Sequence, residues 1–156
     1  MKNKITPCLW FDNEAEAAAS FYVSVFKNSK MGTISRYGKE GFEFHGKQEG
    51  TVMTVNFTIN GQEFTALNGG PQFKFSEAIS FQVFCDTQQE IDHCWNKLTE
   101  EGSEGQCGWL KDKYGLSWQI VPSILPKLMS DPVKAERVTK AFLQMKKFDV
   151  ETLKQA

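Results

Sequence analysis

The chain has 156 residues, 18 Lys and Arg against 19 Asp and Glu, and a formal net charge of −1 without any block of like charge. That balance argues against nucleic acid or an anionic membrane as partner. With 40% hydrophobic and 13% aromatic residues, including 13 Phe, the chain is long enough to bury a ring-rich core as one domain or two packed modules.

Met1-Lys2-Asn3-Lys4 runs directly into a strand-like segment, with no apolar signal region and no membrane-length span. A cytoplasmic protein is therefore expected. Ile5–Phe11 reads as a buried strand: short, apolar and bounded by Pro7 and Asp12. Asn13 with Glu16 three residues on predicts an N-cap and a capping-box acid. A helix follows on Ala17, Phe21 and Val25, with Ala18, Tyr22 and Phe26 beside them, and ends before Asn28. Ser29–Tyr37 has strand character, and Gly38–Gly50, rich in Gly and charge, predicts an exposed loop. Thr51–Ile59 and Gln62–Asn68 flank Asn60-Gly61, a strong hairpin signal, before Gly69-Gly70-Pro71 breaks the chain.

The second half repeats this grammar. Ser80-Phe81-Gln82-Val83-Phe84-Cys85-Asp86 follows Thr6-Pro7-Cys8-Leu9-Trp10-Phe11-Asp12 by 74 positions. Gly115-Leu116-Ser117-Trp118-Gln119 follows Gly61-Gln62-Glu63-Phe64-Thr65 by 54. A strand at Ile79–Cys85 leads to a helix over Thr87–Glu101, with Ile91, Trp95 and Leu98 on one face and Gly102 as its stop. Short strands are expected near Glu104–Cys107 and Gly108–Lys111, then a turn at Asp112–Gly115 and a last strand at Leu116–Val121. Each half reads β-α-β-β-β, a duplicated unit. The longer connection that includes Gly38–Gly50 absorbs the difference in offset.

The repeat stops at Pro122. Ser123–Met129 predicts a short helix, and Asp131 caps a longer one with Pro132 at its first position. Val138, Phe142 and Met145 form an apolar stripe that must pack on its own chain or on a partner, and Asp149–Gln155 predicts one or two further turns. The expected organisation is a first module over 1–72, a second over 73–122 and a helical extension over 123–156. Cys8, Cys85, Cys94 and Cys107 show no Cys-x-x-Cys spacing and are expected as reduced, buried thiols.

The paired modules, Phe21-Tyr22 in the first helix and the ending Asp112, Gly115, Trp118, Gln119 and Ile120 resemble the vicinal oxygen chelate superfamily of glyoxalase I, extradiol dioxygenases and fosfomycin- and bleomycin-resistance proteins. Ile5–Phe11, Asn68-Gly69-Gly70 and Ala141–Lys147 are similar to its PhnB-like branch, some members of which carry a demethylubiquinone methyltransferase label. The resemblance implies an α+β fold: two βαβββ modules forming a curved, cup-shaped mixed sheet around one pocket, plus C-terminal helices. It also implies a homodimer, with segments open to exchange between copies.

In the superfamily's metalloenzymes, ligands sit on the first and last strands of each module. Carried over through the repeat, those positions are Thr6 (Pro7 if the register slips by one), Ser80, Thr65 and Gln119, the last where metal-dependent relatives place Glu. This set holds no imidazole and no carboxylate, so no metal and no cofactor are expected. His45 falls in the Gly-rich loop, where a solvated imidazole is expected. Asp92-His93-Cys94 is ligand-rich, but consecutive helical residues fan out by about 100° each. A methyl donor would need a Gly-rich loop after a parallel strand; Asn68-Gly69-Gly70-Pro71 follows a hairpin strand and reads as a turn. No Gly-x-Ser-x-Gly elbow is present.

Strand alternation places Thr6, Cys8 and Trp10 on one face of the first module, and Ser80, Gln82 and Phe84 on the matching face of the second. The resemblance assigns that face to the pocket, with Thr65, Leu67, Gln119 and Val121 continuing the lining. Leu9, Phe11, Phe81 and Val83 are then expected under the helices. Such a lining suits a small, flat or amphipathic organic ligand and suits a dianion badly, because no Arg or Lys falls on it. Cys8 is the one nucleophile in the set, and without a cationic neighbour its thiol should stay protonated. The leading expectation is a metal-independent small-molecule binding protein of resistance type. The alternatives are a metal-dependent enzyme of glyoxalase or dioxygenase type and a dimer with a filled cup.

Overall fold

The computed structural model describes residues 5–156. Met1–Lys4, read above as a lead-in without a signal region, lie outside them. The chain divides into two compact units, Met1–Lys74 and Phe75–Ala156, each with its own four-stranded sheet.

The first unit contains β1 (Cys8–Phe11), α1 (Ala15–Val25), β2 (Lys30–Arg36), α2 (Phe42–His45), β3 (Val52–Ile59) and β4 (Gln62–Asn68). The sheet runs β1-β4-β3-β2, with β1 parallel to β4 and the other pairs antiparallel. One face carries Leu9, Phe11, Val55, Phe57, Phe64 and Ala66, all buried beneath α1. Ala15, Ala18 and Ala19 let the helix approach the sheet closely, and Tyr22 stacks on Phe57 at 6.1 Å. The hairpin turn places Asn60 and Gly61 at φ 45° and 83°, the two successive left-handed residues of a type I′ turn.

Three local expectations change here. β1 starts at Cys8 rather than Ile5, which is 86% exposed; Pro7 has no N–H to pair, although its carbonyl still accepts from Thr65 N. The N-cap of α1 is Glu14 rather than Asn13, and no local side chain caps it. The Gly38–Gly50 segment also contains α2, bounded by left-handed Gly41 and Gly46.

The second unit contains β5 (Ser80–Cys85), α3 (Gln88–Thr99), β6 (Ser103–Glu104), β7 (Trp109–Lys111), β8 (Ser117–Pro122), α4 (Leu125–Leu128), α5 (Pro132–Phe142) and α6 (Val150–Gln155). Its sheet runs β5-β8-β7-β6, again with the first pair parallel. Ile91, Cys94, Trp95 and Leu98 of α3 are buried, as are Leu110, Trp118 and Ile120 of the sheet. The registers reproduce the repeat: Cys8 pairs with Thr65 in one unit and Gln82 with Gln119 in the other. Gly61 and Gly115 share a φ of 83°.

The stop of α3 is Glu101, at φ 61°, rather than Gly102. Gly102 is required by closeness: a Cβ there would lie 2.2 Å from the Lys111 carbonyl oxygen. The two short strands are shorter than expected because Cys107 and Gly108 are both left-handed. Their N–H groups leave the sheet and donate to Met145 O at 2.8 Å and Lys146 O at 2.7 Å. These bonds tie the C-terminal segment to the second sheet.

Val138 packs with Leu128, Phe148 and Leu153 in a satellite core that also takes in Cys107, Phe142 and Met145. The apolar stripe is therefore satisfied within its own chain. Gln88 of α3 accepts from Val150 N at 2.9 Å and donates to Phe148 O at 3.1 Å. Among the cysteines, Cys85 and Cys94 are buried, whereas Cys8 is exposed and Cys107 half-buried, so burial holds for two of the four. Among the described residues, no helix is long and apolar enough to cross a membrane.

Candidate functional site

The face of the first sheet opposite α1 brings together Cys8, Trp10, Thr65 and Leu67 through the pairs Cys8–Thr65 and Trp10–Leu67. Thr6 precedes β1 and lies outside the strand. Thr65 Oγ1 donates to Asn56 Oδ1 at 3.1 Å. Trp10 is half-buried and held at both ends: its Nε1 donates to Gly70 O at 2.8 Å, and its ring meets Phe73 edge-on at 4.9 Å. The indole lies so close over Gly69 that a Cβ there would stand 2.1 Å from the ring. Gly69 and Gly70 both donate their N–H groups to Phe11 O. The loop thus has a packing role, and its amides are spent on the chain rather than left to cradle a phosphate.

In the second unit Ser80, Gln82 and Phe84 lie beside Ser117, Gln119 and Val121. Gln119 Nε2 donates to Ser80 Oγ at 2.8 Å, while Gln119 Oε1 accepts from Gln82 Nε2 at 3.3 Å. Both ends of this amide are engaged in a neutral network. Phe84 is exposed and Val121 buried. Phe81, expected under a helix, is half-buried against Trp118, and Val83 is also half-buried.

The superfamily's metal is tested by this donor set. Thr6, Thr65, Ser80 and Gln119 are neutral, and Gln119 is already committed to its neighbours. A set without a carboxylate or imidazole does not fit a divalent ion. Among the described residues no group of three His, Cys, Asp or Glu could hold one. His45 ends α2 and is partly exposed. Its Nδ1 accepts from Lys47 N at 2.9 Å, its Nε2 faces Glu40 O at 3.2 Å, and its ring packs on Tyr37 at 4.5 Å. On α3, Asp92 pairs with Lys147 at 2.6 Å, His93 is exposed and Cys94 is buried, so the three fan apart.

Cys8 reaches solvent, yet partial desolvation raises its thiol above the ordinary value. The Cys85 thiol is also raised, first by its hydrogen bond with Cys94 and then by burial. Both shifts oppose thiolate chemistry.

Three residues on or behind these faces were given no site role by the sequence reading. Asn68 is buried: Oδ1 accepts from Ala15 N at 2.8 Å, Nδ2 donates to Val52 O at 3.1 Å, and its carbonyl accepts from Tyr37 Oη at 2.6 Å. It caps α1 from 53 residues away. Asp112, read as a motif and turn residue, is also buried. It accepts from Tyr114 N (2.8 Å), Leu116 N (3.1 Å) and Trp118 Nε1 (2.8 Å), and so builds the turn into β8. Lys111 pairs in register with Ser117 and thus shares the face of Gln119. Alternation within Gly108–Lys111, taken with the Gly115 turn, was the available signal for Lys111.

A family model described as 3-demethylubiquinone-9 3-methyltransferase matches residues 3–121. The chain belongs to that family. The PhnB protein from Bacillus cereus, which carries the same methyltransferase label, is 39% identical to this chain. Its structure aligns with 77% of this chain and 99% of its own, at a TM-score of 0.68. A protein from Pseudomonas aeruginosa is 18% identical, with 77% of this chain and 97% of its own covered at a TM-score of 0.56; this likeness concerns the fold alone. No curated protein sequence matches the chain. The family match ends at Val121 in β8, so α4–α6 lie beyond it. The PhnB-like membership expected from the residues is shown, with the α+β architecture of two βαβββ-type modules plus C-terminal helices.

Proposed function

We propose that this PhnB-like protein binds small organic ligands, without a divalent metal, on the face of each sheet opposite its helix α1 or α3. The observation that carries the reading is the neutral Ser80–Gln119–Gln82 network, which occupies the position where metal-dependent relatives place a carboxylate. An amide engaged once at each end is held in orientation, keeps one N–H and one lone pair for a neutral ligand, and is a poor donor to a hard cation. Phe84 supplies apolar surface beside it, and Trp10 and Leu67 supply apolar surface on the corresponding face of the first sheet, a lining suited to a flat, uncharged or amphipathic molecule. Sequestration of a toxic small molecule, as in resistance proteins of this superfamily, is the role we assign. The family's methyltransferase label finds little support in a loop whose amides are already bonded to Phe11.

A homodimer belongs to the same reading. It rests on the resemblance, since the α5 stripe is spent within its own chain.

Metal content by plasma mass spectrometry, with thermal unfolding before and after chelation, tests the metal-independent part. Substoichiometric metal and an unchanged Tm are expected. Stoichiometric metal with a lower Tm after chelation would overturn the reading in favour of glyoxalase- or dioxygenase-type chemistry. Titration with indole, 2-naphthol and coumarin, followed through the Gln82 and Gln119 side-chain amides by NMR, tests binding. Shifts that saturate are expected, and none with any probe would refute the proposal. Sedimentation velocity reads the dimer directly.

A further inference from the structure

Beyond that reading, we propose that a cleft in the second unit is a subsite for a small aromatic monocarboxylate. Lys111 and Ser117 would anchor the ligand, and Glu77 holds the place of its carboxylate in the free protein. The cleft measures 260 Å³ and is lined by Glu77, Ser103, Glu104, Trp109, Lys111 and Ser117, among others.

The deciding feature is Ser117. It is fully buried, and its Oγ is a buried side-chain oxygen without a hydrogen-bond partner. The large majority of buried hydroxyls are partnered, so an orphan among the residues that line a cleft is the candidate partner for a ligand oxygen once the Lys111–Glu77 pair opens. Strand pairing sets Lys111 directly across from Ser117, which brings their Cβ atoms within about 5 Å of each other. The Lys111 ammonium forms an ion pair with Glu77, whose side chain is 62% exposed. An exposed pair of this kind contributes little and opens readily. A ligand carboxylate can then accept from Lys111 Nζ with one oxygen and from the Ser117 hydroxyl with the other, while Glu77 turns out to water.

The other groups narrow the ligand. Glu104 is engaged by Trp95 Nε1 at 2.9 Å and Lys146 Nζ at 3.3 Å, so it stays as a negative wall. One available cation facing that wall suits a monoanion and disfavours a dianion. Trp109 is half-buried and presents an indole for a flat ring. A cavity of about 150 Å³ accepts benzene, so this cleft has room for a phenyl group with its carboxylate.

The full chain is titrated with benzoate, benzamide and benzylamine by NMR and calorimetry. Benzoate is expected to shift the Trp109 indole N–H and the Lys111 and Ser117 amides. Benzamide should bind about tenfold more weakly for want of a charge-assisted bond, and benzylamine should not bind. Glu77→Gln should tighten benzoate several-fold by removing the internal competitor. Lys111→Met should weaken benzoate about tenfold or more. Ser117→Ala should weaken it while leaving Tm equal or higher, because an orphan hydroxyl is removed; this separates binding from folding. Equal affinity for benzoate and benzamide would overturn the proposal. So would Glu77→Gln that does not tighten binding, Lys111→Met without effect, or no shift at the solubility limit of benzoate, meaning a cleft filled by water alone. Metal content and the neutral-probe titrations are independent of these outcomes, so either reading can fail by itself.

Discussion

Replacement of Asn68 by alanine should reveal how much of the first unit depends on one side chain. The Asn68 amide satisfies Ala15 N–H at the start of α1 and Val52 C=O at the start of β3, at 2.8 and 3.1 Å. Ala15 is fully buried and its helix has no local side-chain cap, so Asn68→Ala removes the acceptor that caps it. An orphaned buried group costs about 1–3 kcal/mol. Val52 is half-buried and regains part of its loss from water, giving about 3 kcal/mol in total for the variant. For a chain of this size that corresponds to a Tm lower by about 6–12 °C. The Tyr37 hydroxyl bond runs to the Asn68 backbone and survives, so Tyr37→Phe should cost only about 1 kcal/mol. Asn68→Asp keeps an acceptor at the positive helix start but loses the donor to Val52, and should fall between Asn68→Ala and the parent. Equilibrium urea unfolding at constant m-value, with thermal unfolding by circular dichroism, reads all three variants. A loss below about 1 kcal/mol in Asn68→Ala, or a greater loss in Asn68→Asp than in Asn68→Ala, would refute the capping argument.

Two further outcomes are expected. Asp112→Ala orphans Tyr114 N–H, Leu116 N–H and the Trp118 indole together and should cost about 3 kcal/mol or more. Asp112→Asn should not restore the loss, since an amide offers one acceptor where the carboxylate offers two; thermal unfolding of both variants checks this. Acid should loosen the C-terminal attachment. Asp92 lies below its ordinary value through Lys147 and Gln88, Glu104 through Trp95 and Lys146, and Asp149 through Thr152. Depressed carboxylates stabilise fully above their unfolded pKa and lose that contribution as pH falls through the folded value, here below about pH 4. Thermal unfolding from about pH 7 to pH 2 should therefore fall less steeply in an Asp92→Asn, Glu104→Gln double variant than in the parent. Parallel curves would show that these carboxylates do not govern the acid limb.

The sequence by itself determined whatever rests on neighbours along the chain. Alternation and helical spacing marked the strands and helices, Asn60-Gly61 marked its hairpin, and Asp131 with Pro132 marked the start of α5. Asp131 indeed accepts from Val133 N and Lys134 N. The repeat offsets translated into strand register because both modules pair their first and last strands in parallel. These features follow from local dihedral preferences and side-chain period, which a linear pattern records.

Tertiary structure alone decided which distant group each polar atom met. Asn13 looked like the cap of α1, but the helix takes its acceptor from Asn68, on a strand that closes much later in the chain. The α5 stripe could have faced a partner, but Phe148, Leu128 and Leu153 fold back on it. Gln119 read as a departure from a metal ligand; only packing shows both ends of its amide engaged by Ser80 and Gln82. Ser117 and Lys111 become a candidate site only when β7 is laid against β8 and the Glu77 segment reaches them. In each case the partner is met only through folding, and its identity depends on which surfaces are excluded from water together, a property that local pattern does not encode.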